Sequence, residues 1–439
     1  MSVSRTKTRR AQERSRGAEV PGLAARRGAL ALLSAVFDHG AMLGDGGEGS
    51  AAERAEARGV AELVLRRLGQ VDAALSHFVE RLPGGEGRQI LRLMAAELLF
   101  GGTPPHAAVD MGVRLAAGGG KTARLKGLVN AVGRRLAEGG AALVAAQDAA
   151  RLNCPDWLWQ ALVRDWGEAR ALAVAEAHLA GARLDLTPKV PGDAEALAEE
   201  LGGRVLPTGS IRLEGRAQVT ALPGFEAGAW WVQDAAASLP ARLLPEVAVK
   251  RVLDLCAAPG GKAMQLAAAG AHVVALDVSA PRMERLRENL ARTGLEAEIV
   301  VADALEWEPE QRFDAVLLDA PCTASGTIRR HPELPYRIDN SSLPALVELQ
   351  AQLLDRAWGW IAPGGVLVFC TCSLFRAEGE DQAASFLERT GDAVAMSVEA
   401  VDGVPAELVT GGWLRTRPDL WADRGGLDGF FAARFRRAG

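Results

Sequence analysis

The sequence predicts a multidomain protein with an all-helical N-terminal bundle, a small mixed α+β connector, and an α/β domain built on a mostly parallel sheet. Three observations predict it. The 439 residues exceed the roughly 100–200 that one domain usually holds. Apolar residues recur at three- and four-residue steps up to about residue 140, which is typical of amphipathic helices. After Leu243, strand-like apolar segments alternate with helix-like segments, which indicates an α/β sheet.

The composition is that of a folded protein. Hydrophobic residues make up 49% and charged residues 24% of the chain, so wholesale disorder is excluded. No uninterrupted apolar run approaches the roughly 18 residues that cross a bilayer. The five cysteines suggest neither a disulfide framework nor a zinc site; they are Cys154, Cys256, Cys322, Cys370 and Cys372. We expect a cytoplasmic monomer with no membrane partner and no metal.

The N-terminal part is basic and helical, although the formal net charge of the chain is −5. Residues 1–18 are polar and basic and lack periodicity, which predicts a disordered arm that either binds phosphates or is a solvated tail. Residues 19–140 predict the helical bundle. Two apolar stripes run through it: Val60, Leu63, Val64, Leu68, Val71 and Leu75, then Ile90, Leu93, Met94 and Leu98. Its last helix, predicted over Lys121–Leu136, carries five basic residues and no acid, and these form what we call the basic segment: Lys121, Arg124, Lys126, Arg134 and Arg135.

Two further regions follow the bundle. Residues 141–240 predict the connector, with a helical segment around Pro155–Leu179 and short strand-like pieces such as Ile211–Leu213. Residues 241–439 predict a doubly wound, Rossmann-like sheet, whose ligands bind beyond the carboxyl ends of its strands. Five strands are expected: Val252–Leu255, Val273–Leu276, Glu298–Val301, Ala315–Leu318 and Val366–Cys370.

Polar groups follow four of these strands. The first strand runs into the turn Cys256-Ala257-Ala258-Pro259-Gly260-Gly261-Lys262, whose small residues let a ligand approach the backbone closely. This turn is neither a dinucleotide fingerprint nor a phosphate-binding P-loop, and alone it could be merely structural. Acids at the next three strand ends favour a ligand, because Asp277, Asp303 and Asp319 would converge on one crevice. The set suits a nucleoside-containing cofactor.

Two cysteines lie at the ends of the fourth and fifth strands. If the first, fourth and fifth strands are neighbours, Cys322 and Cys372 face each other across the crevice. A free cysteine is more often a small buried hydrophobe, and we assign that role to Cys154 and Cys370. For the pair at the strand ends, a chemical role is favoured because ligands bind there.

Three motifs in this order resemble the RNA cytosine-5 methyltransferases that use S-adenosylmethionine: Cys256–Lys262, Asp319–Cys322 and Thr371–Ser373. Arg329–Glu333 and Asp428–Phe431 also look like that family, so the resemblance covers about residues 228–439. Pro104–Asp110 and Lys126–Val132 look like the helical RNA-binding fold of the NusB antitermination factor. The pairing is similar to bacterial enzymes that methylate a cytosine of small-subunit rRNA.

The resemblance implies S-adenosylmethionine as the cofactor and small-subunit rRNA as the partner. Cytosine C5 is a poor nucleophile, so a thiolate must first add to C6. Cys372 matches the family nucleophile, and Cys322 matches the cysteine that assists release of the product. Asp319 would stabilise the ring near N3 and the exocyclic amine. The turn Cys256–Lys262 and Asp319 would line the cofactor site, with two further acids on the ribose and near the adenine, namely Asp277 and Asp303.

One departure from the family concerns the loop after the fourth strand. It reads Pro321-Cys322-Thr323-Ala324-Ser325, where relatives usually show Pro-Cys-Ser-Gly.

Two alternatives to small-subunit rRNA methylation stay open. The same chemistry could act on tRNA or on another rRNA site. The chain could instead be a non-catalytic ribosome-assembly RNA-binding protein, although the intact pair of cysteines argues against that.

Overall fold

The computed structural model describes residues 21–44, 47–215, 217–244, 246–337, 341–399 and 401–439. The described residues form two compact units, one within the bounds Met1–Pro155 and His331–Arg337 and the other within Asp156–Arg330 and Ile338–Gly439. The basic arm predicted over residues 1–18 lies outside the described residues.

The first unit is all-helical, as the apolar stripes predict. Its helices are α1 (Leu23–His39), α2 (Ala51–Arg66), α3 (Leu68–Phe78), α4 (Glu86–Leu99), α5 (Pro105–Gly118), α6 (Lys126–Ala145) and α7 (Ala149–Leu152). Helix α2 begins with a capping box, because Ser50 and Glu53 each bond the other's backbone N–H. Side chains of the two stripes form its core, where Val64, Ile90 and Leu93 are fully buried.

One apolar stripe spans two helices, and one predicted helix has different bounds. The first apolar stripe belongs to two helices, because the backbone leaves helical geometry at Arg67, between α2 and α3. The predicted helix over Lys121–Leu136 begins only at Lys126, after a single 3-10 turn, and continues past residue 140 to Ala145. All five side chains of the basic segment are exposed.

The second unit opens with two helices and an antiparallel sheet. Helices α8 (Asp156–Trp166) and α9 (Glu168–Ala180) are separated by Gly167, whose φ of 79° ends the first of them. The sheet has the order β2-β3-β1-β4, and α10 precedes β2. The bounds are β1 (Leu184–Pro188), α10 (Ala194–Leu201), β2 (Gly203–Val205), β3 (Ile211–Leu213) and β4 (Trp230–Val232).

A buried ion pair joins two strands of this small sheet. Asp185 on β1 accepts two hydrogen bonds from Arg212 on β3, with Nε–Oδ1 and Nη2–Oδ2 distances of 2.7 and 2.6 Å. Both side chains are fully buried, and Asp185 also accepts a hydrogen bond from the backbone N–H of Ala235. The pair therefore locks the register of β1 against β3.

The rest of the second unit forms the predicted α/β domain. Its strands are β5 (Arg251–Leu255), β6 (His272–Asp277), β7 (Glu298–Val301), β8 (Phe313–Asp319), β9 (Ile361–Thr371), β10 (Ala393–Met396), β11 (Val409–Thr410), β12 (Trp413–Arg415) and β13 (Phe431–Arg437). Its helices are α11 (Leu239–Arg242), α12 (Gly261–Ala268), α13 (Ala280–Thr293), α14 (Leu343–Gly359) and α15 (Glu380–Arg389). All five predicted strands are present, each within a few residues of its predicted bounds.

The sheet is parallel in the part that carries the predicted motifs. The order is β11-β12-β13-β9-β8-β5-β6-β7, with β10 paired to β13. Strands β7, β6, β5, β8 and β9 run parallel to one another, whereas β10 to β13 add antiparallel pairs beyond β9. The first, fourth and fifth parallel strands are neighbours, which is the condition under which Cys322 and Cys372 were expected to face each other.

Apolar side chains cover both faces of this sheet. Successive residues of β5 show it, because Val252 belongs to one buried cluster and Leu253 to another. Four tryptophans of this unit are buried: Trp230, Trp231, Trp358 and Trp360. No helix among the described residues is long and apolar enough to cross a membrane.

Candidate active site

The candidate active site lies at the carboxyl ends of β5, β6, β8 and β9. Parallel strands end at one edge of the sheet, so the loops that follow them converge there. Here these loops carry the turn Cys256–Lys262, Asp277, Asp319 with Cys322, and Cys372.

The turn after β5 has a backbone suited to its small residues. Cys256 and Gly260 have φ values of 64° and 107°, and α12 begins at Gly261. A Cβ at Gly260 would lie 2.1 Å from Cδ1 of Leu286, so only glycine fits between the turn and α13. Burial, and then the charge of Asp277, raise the pKa of the Cys256 thiol, which therefore stays protonated.

Lys262 and Asp319 form an ion pair across the crevice, with 2.7 Å between Nζ and Oδ2. The Lys262 side chain is 9% exposed and that of Asp319 is 30% exposed. Burial alone would lower the pKa of Lys262, but the Asp319 carboxylate outweighs it and raises the pKa. The Sγ of Cys370 lies 3.4 Å from the other Asp319 oxygen, so this buried cysteine contacts the site as well as the core.

The other two predicted acids bind backbone groups. The carboxylate of Asp277 is buried and accepts hydrogen bonds from the N–H groups of Ala258, at 3.2 Å, and Ser279, at 2.9 Å. Asp303 accepts one from the N–H of Leu305 at 2.9 Å. Carboxylate oxygens have further lone pairs, so both acids can accept ligand hydroxyl or amino groups in addition.

Cys322 and Cys372 face each other, as the sequence predicted. Their Sγ atoms are 3.4 Å apart, and both residues are partly accessible. The hydrogen bond to Cys372, together with burial, raises the pKa of the Cys322 thiol well above its ordinary value. Cys322 therefore keeps its proton at neutral pH.

Sequence reasoning missed a buried carboxylate behind the two cysteines. Glu378 is fully buried and accepts hydrogen bonds from the residues that follow Cys322 and Cys372, Thr323 and Ser373. Hydroxyl residues in both cysteine loops were the available signal, because buried hydroxyls need an acceptor. The positions of these hydroxyl residues in the sequence did not indicate which acid would be the acceptor.

Sequence reasoning also missed Asp254, the fourth residue of β5. Its side chain is fully buried, and neither carboxylate oxygen has a hydrogen-bond partner among the described residues. Burial raises the pKa of Asp254 to about 8. An unsatisfied buried acid is costly unless a ligand pairs with it. The strand ends thus retain free acceptor capacity next to the glycine turn, which fits a ligand that carries amino and hydroxyl groups.

The remaining family-like motifs have structural partners. Arg330 pairs with Asp428 at 2.8 Å and also with Asp234, and so ties the loop after β8 to the segment before β13. Glu333 belongs to the first unit, where it is buried and accepts a hydrogen bond from the N–H of Leu43 at 3.2 Å. The described residues contain no cluster of three or more His, Cys, Asp or Glu side chains that could hold a metal ion.

Comparison with known proteins matches both parts of the chain. Residues 241–436 match the family described as 16S rRNA methyltransferase RsmB/F, and residues 23–138 match the NusB family. The chain is 38% identical over 405 residues to the ribosomal RNA small subunit methyltransferase B of Xanthomonas campestris, covering 87% of this chain and 92% of that protein. It is 37% identical over 438 residues to the protein of the same name from Xylella fastidiosa, covering 94% and 98%.

Among solved structures, that of PH0851 is similar over 96% of this chain and 100% of its own, with a TM-score of 0.72 and 21% identity. At that identity the likeness supports the fold alone.

Proposed function

The chain belongs to the RsmB/F family of 16S rRNA methyltransferases, and from this premise we propose that it methylates C5 of a cytosine in 16S rRNA through a covalent adduct between Cys372 and C6. Its methyl donor is S-adenosylmethionine. The observation that carries the proposal is the 3.4 Å approach of two thiols beside the Lys262–Asp319 pair. Acting on 16S rRNA would place the protein in the cytoplasm, and we propose that it acts there as a monomer.

The residues at the strand ends fit the proposed cofactor. The turn Cys256–Lys262 would hold its methionine part, while Asp277 would bind the ribose and Asp303 the adenine amine. When bound, S-adenosylmethionine supplies a sulfonium-activated methyl group to C5.

In this proposal the two cysteines act on opposite sides of methyl transfer. The Cys372 thiolate adds to C6, and the electron pair of the C5–C6 double bond makes C5 nucleophilic. Asp319, with one oxygen on Lys262, would accept a hydrogen bond from the exocyclic amine, or carry a proton that it shares with N3, and so stabilise the negative charge that develops on the ring. After C5 is methylated, its proton passes to water, the electrons of the C5–H bond re-form the C5–C6 double bond, and the Cys372–C6 bond breaks with its electron pair staying on sulfur, where a proton from Cys322 can neutralise it. Cys322, which keeps its own proton, is placed to assist this release.

The first unit would bind the RNA around the target. The exposed side chains of the basic segment can neutralise backbone phosphates. Phosphate contacts position a protein on RNA without reading sequence, so the crevice would be left to select the base. We propose four parts accordingly: a basic arm at residues 1–18, an RNA-binding domain at 19–140, a connector at 141–240 and a methyltransferase domain at 241–439.

The test is methylation in vitro with methyl-labelled S-adenosylmethionine. The purified chain is incubated with 16S rRNA, with assembling small subunits and with tRNA, and the RNA is digested to nucleosides. We expect label in 5-methylcytidine from the 16S samples and none with Cys372→Ala. Label in tRNA alone would favour the alternative substrate. RNA binding without label in any sample would favour a non-catalytic assembly protein.

A further inference from the structure

The buried carboxylate of Glu378 is bound by both cysteine loops at once. Its Oε1 accepts hydrogen bonds from the backbone N–H of Thr323 at 2.9 Å and from Nε2 of Gln350 at 3.0 Å. Its Oε2 accepts them from the hydroxyls of Thr323 and Ser373, each at 2.5 Å. Glu378, Thr323, Gln350 and Ser373 are all buried.

These contacts lie one residue away from each thiol. Thr323 follows Cys322 and Ser373 follows Cys372. The Glu378 side chain therefore holds the two loops in a fixed position relative to each other. Gln350 belongs to α14, and the carboxylate is thereby also bound to a long helix. Other hydrogen bonds also join the two loops directly: the N–H of Gly326 donates to the carbonyl of Cys372, and the N–H of Leu374 donates to Oγ of Ser325. The hydroxyl of Ser373 also lies 3.3 Å from that of Thr323 and 3.2 Å from that of Ser325. Glu378 adds a carboxylate that accepts hydrogen bonds from both loops.

The four partners suit an ionised carboxylate. All four groups donate, and an ionised carboxylate is the side chain that only accepts. In the described part of the chain Glu378 forms no ion pair with Lys or Arg, so hydrogen bonds alone compensate its burial. Its negative charge also contributes to the raised pKa of Cys322, after the hydrogen bond to Cys372 and burial.

We propose that Glu378 is a positioning residue that holds Cys322 and Cys372 at reacting distance through Thr323 and Ser373. It touches neither the base nor the methyl donor in this proposal. The proposal rests on the proposed function for its catalytic consequence, but the spacing of the thiols can be measured without activity. Displacement of a catalytic group by about 1 Å can cost on the order of 10²-fold in rate, which sets the expected effect.

The substitution pair Glu378→Ala and Glu378→Gln separates geometry from charge. A glutamine can place its amide oxygen at the position of Oε1, where both donors are fixed N–H groups. Its NH₂ group then takes the position of Oε2 and donates to the two hydroxyls, which can rotate to accept. Glutamine therefore keeps the four hydrogen bonds and removes only the charge, whereas alanine removes all of them. Glu388→Ala, an exposed residue on α15, is the matched control.

The first readout is disulfide formation between Cys322 and Cys372 with glutathione disulfide, followed by mass spectrometry. We expect the rate with Glu378→Ala to fall at least about 10-fold, and with Glu378→Gln and Glu388→Ala to stay within about 3-fold of the original chain. The second is methylation kinetics, where Glu378→Ala should lower kcat by about 10²-fold with little change in KM, and Glu378→Gln should restore most of it. Calorimetry with S-adenosylhomocysteine checks that each variant is folded.

Two results would overturn the proposal. One is an unchanged disulfide rate and kcat in a folded Glu378→Ala protein, and the other is an equal loss in Glu378→Gln. If alanine prevents folding, Thr323→Val, which removes one hydroxyl donor and keeps the N–H, must lower the disulfide rate for the proposal to stand. Failure of the proposed function gives a different result. In that case the unsubstituted chain forms no 5-methylcytidine, but Glu378→Ala still lowers the rate of disulfide formation.

Discussion

Replacement of Cys322 by alanine should convert the protein into one that captures its RNA. The two Sγ atoms are 3.4 Å apart, so Cys322 is within reach of both the attacking sulfur and the ring bonded to it. Without this thiol the adduct can still form and be methylated, but release loses its assisting group. The bound species should therefore accumulate.

The size of the effect follows from the role of a positioned proton donor or acceptor. Such a group contributes about 10²–10⁴-fold to a step, which corresponds to roughly 3–5 kcal/mol of barrier. The hydrogen bond to Cys372 and burial raise the pKa of Cys322, so at neutral pH this thiol holds a proton that it can donate as the adduct breaks down. We therefore expect adduct breakdown to slow by about 10²-fold or more, while the first methyl transfer keeps a rate close to the original.

The assay is a denaturing gel of the protein with 16S rRNA and methyl-labelled S-adenosylmethionine. Cys322→Ala should give a slow-migrating protein–RNA species that carries label, and digestion should leave a nucleotide on the peptide containing Cys372. Cys372→Ala should give neither adduct nor turnover. If Cys372→Ala captures RNA and Cys322→Ala does not, the roles are reversed. If neither substitution affects methylation, covalent catalysis by these residues is wrong.

Three further predictions concern other parts of the molecule. Asp277→Ala should weaken S-adenosylhomocysteine binding by about 10–100-fold in calorimetry, because hydrogen bonds to a charged group contribute about 1.5–3 kcal/mol. An unchanged affinity would show that another residue binds the ribose. Replacing all five residues of the basic segment by glutamine should reduce the slope of log K for RNA binding against log salt concentration by up to about 4, measured by filter binding. The affinity for the cofactor should not change. Equal slopes for the two proteins would exclude the segment from the RNA interface. Arg212→Met should lower the unfolding free energy of the second unit by up to about 3–5 kcal/mol in urea, because buried Asp185 loses its two short hydrogen bonds and keeps only the N–H of Ala235 and Arg330 at 3.8 Å; a loss below about 1 kcal/mol would show that these two partners or water compensate the charge.

The parallel core and the candidate site could be predicted because local patterns specify them. Apolar strands alternating with helices indicate a parallel sheet, and parallel strands end at one edge. Residues that follow such strands therefore converge wherever they lie in the chain. For this reason the facing of Cys322 and Cys372 could be predicted for a sheet in which β5, β8 and β9 are neighbours, and the structure has both features.

Helix bounds were predicted less well. The apolar stripe through Val64 and Leu68 continues across Arg67, although the helix does not. Periodicity reports which face is buried and is insensitive to a single residue that leaves helical geometry. The start of α6 at Lys126 was missed for the same reason.

Only the tertiary structure decided which polar groups pair. Glu378 bonds Thr323 across 55 positions of sequence, and Lys262 pairs with Asp319 across 57. Each of these acids has several possible donors in the sequence, and the choice depends on how distant loops pack at the edge of the sheet. A residue's own periodicity reports whether it is buried, whereas its hydrogen-bond partner is set by segments that only the fold brings within 3 Å.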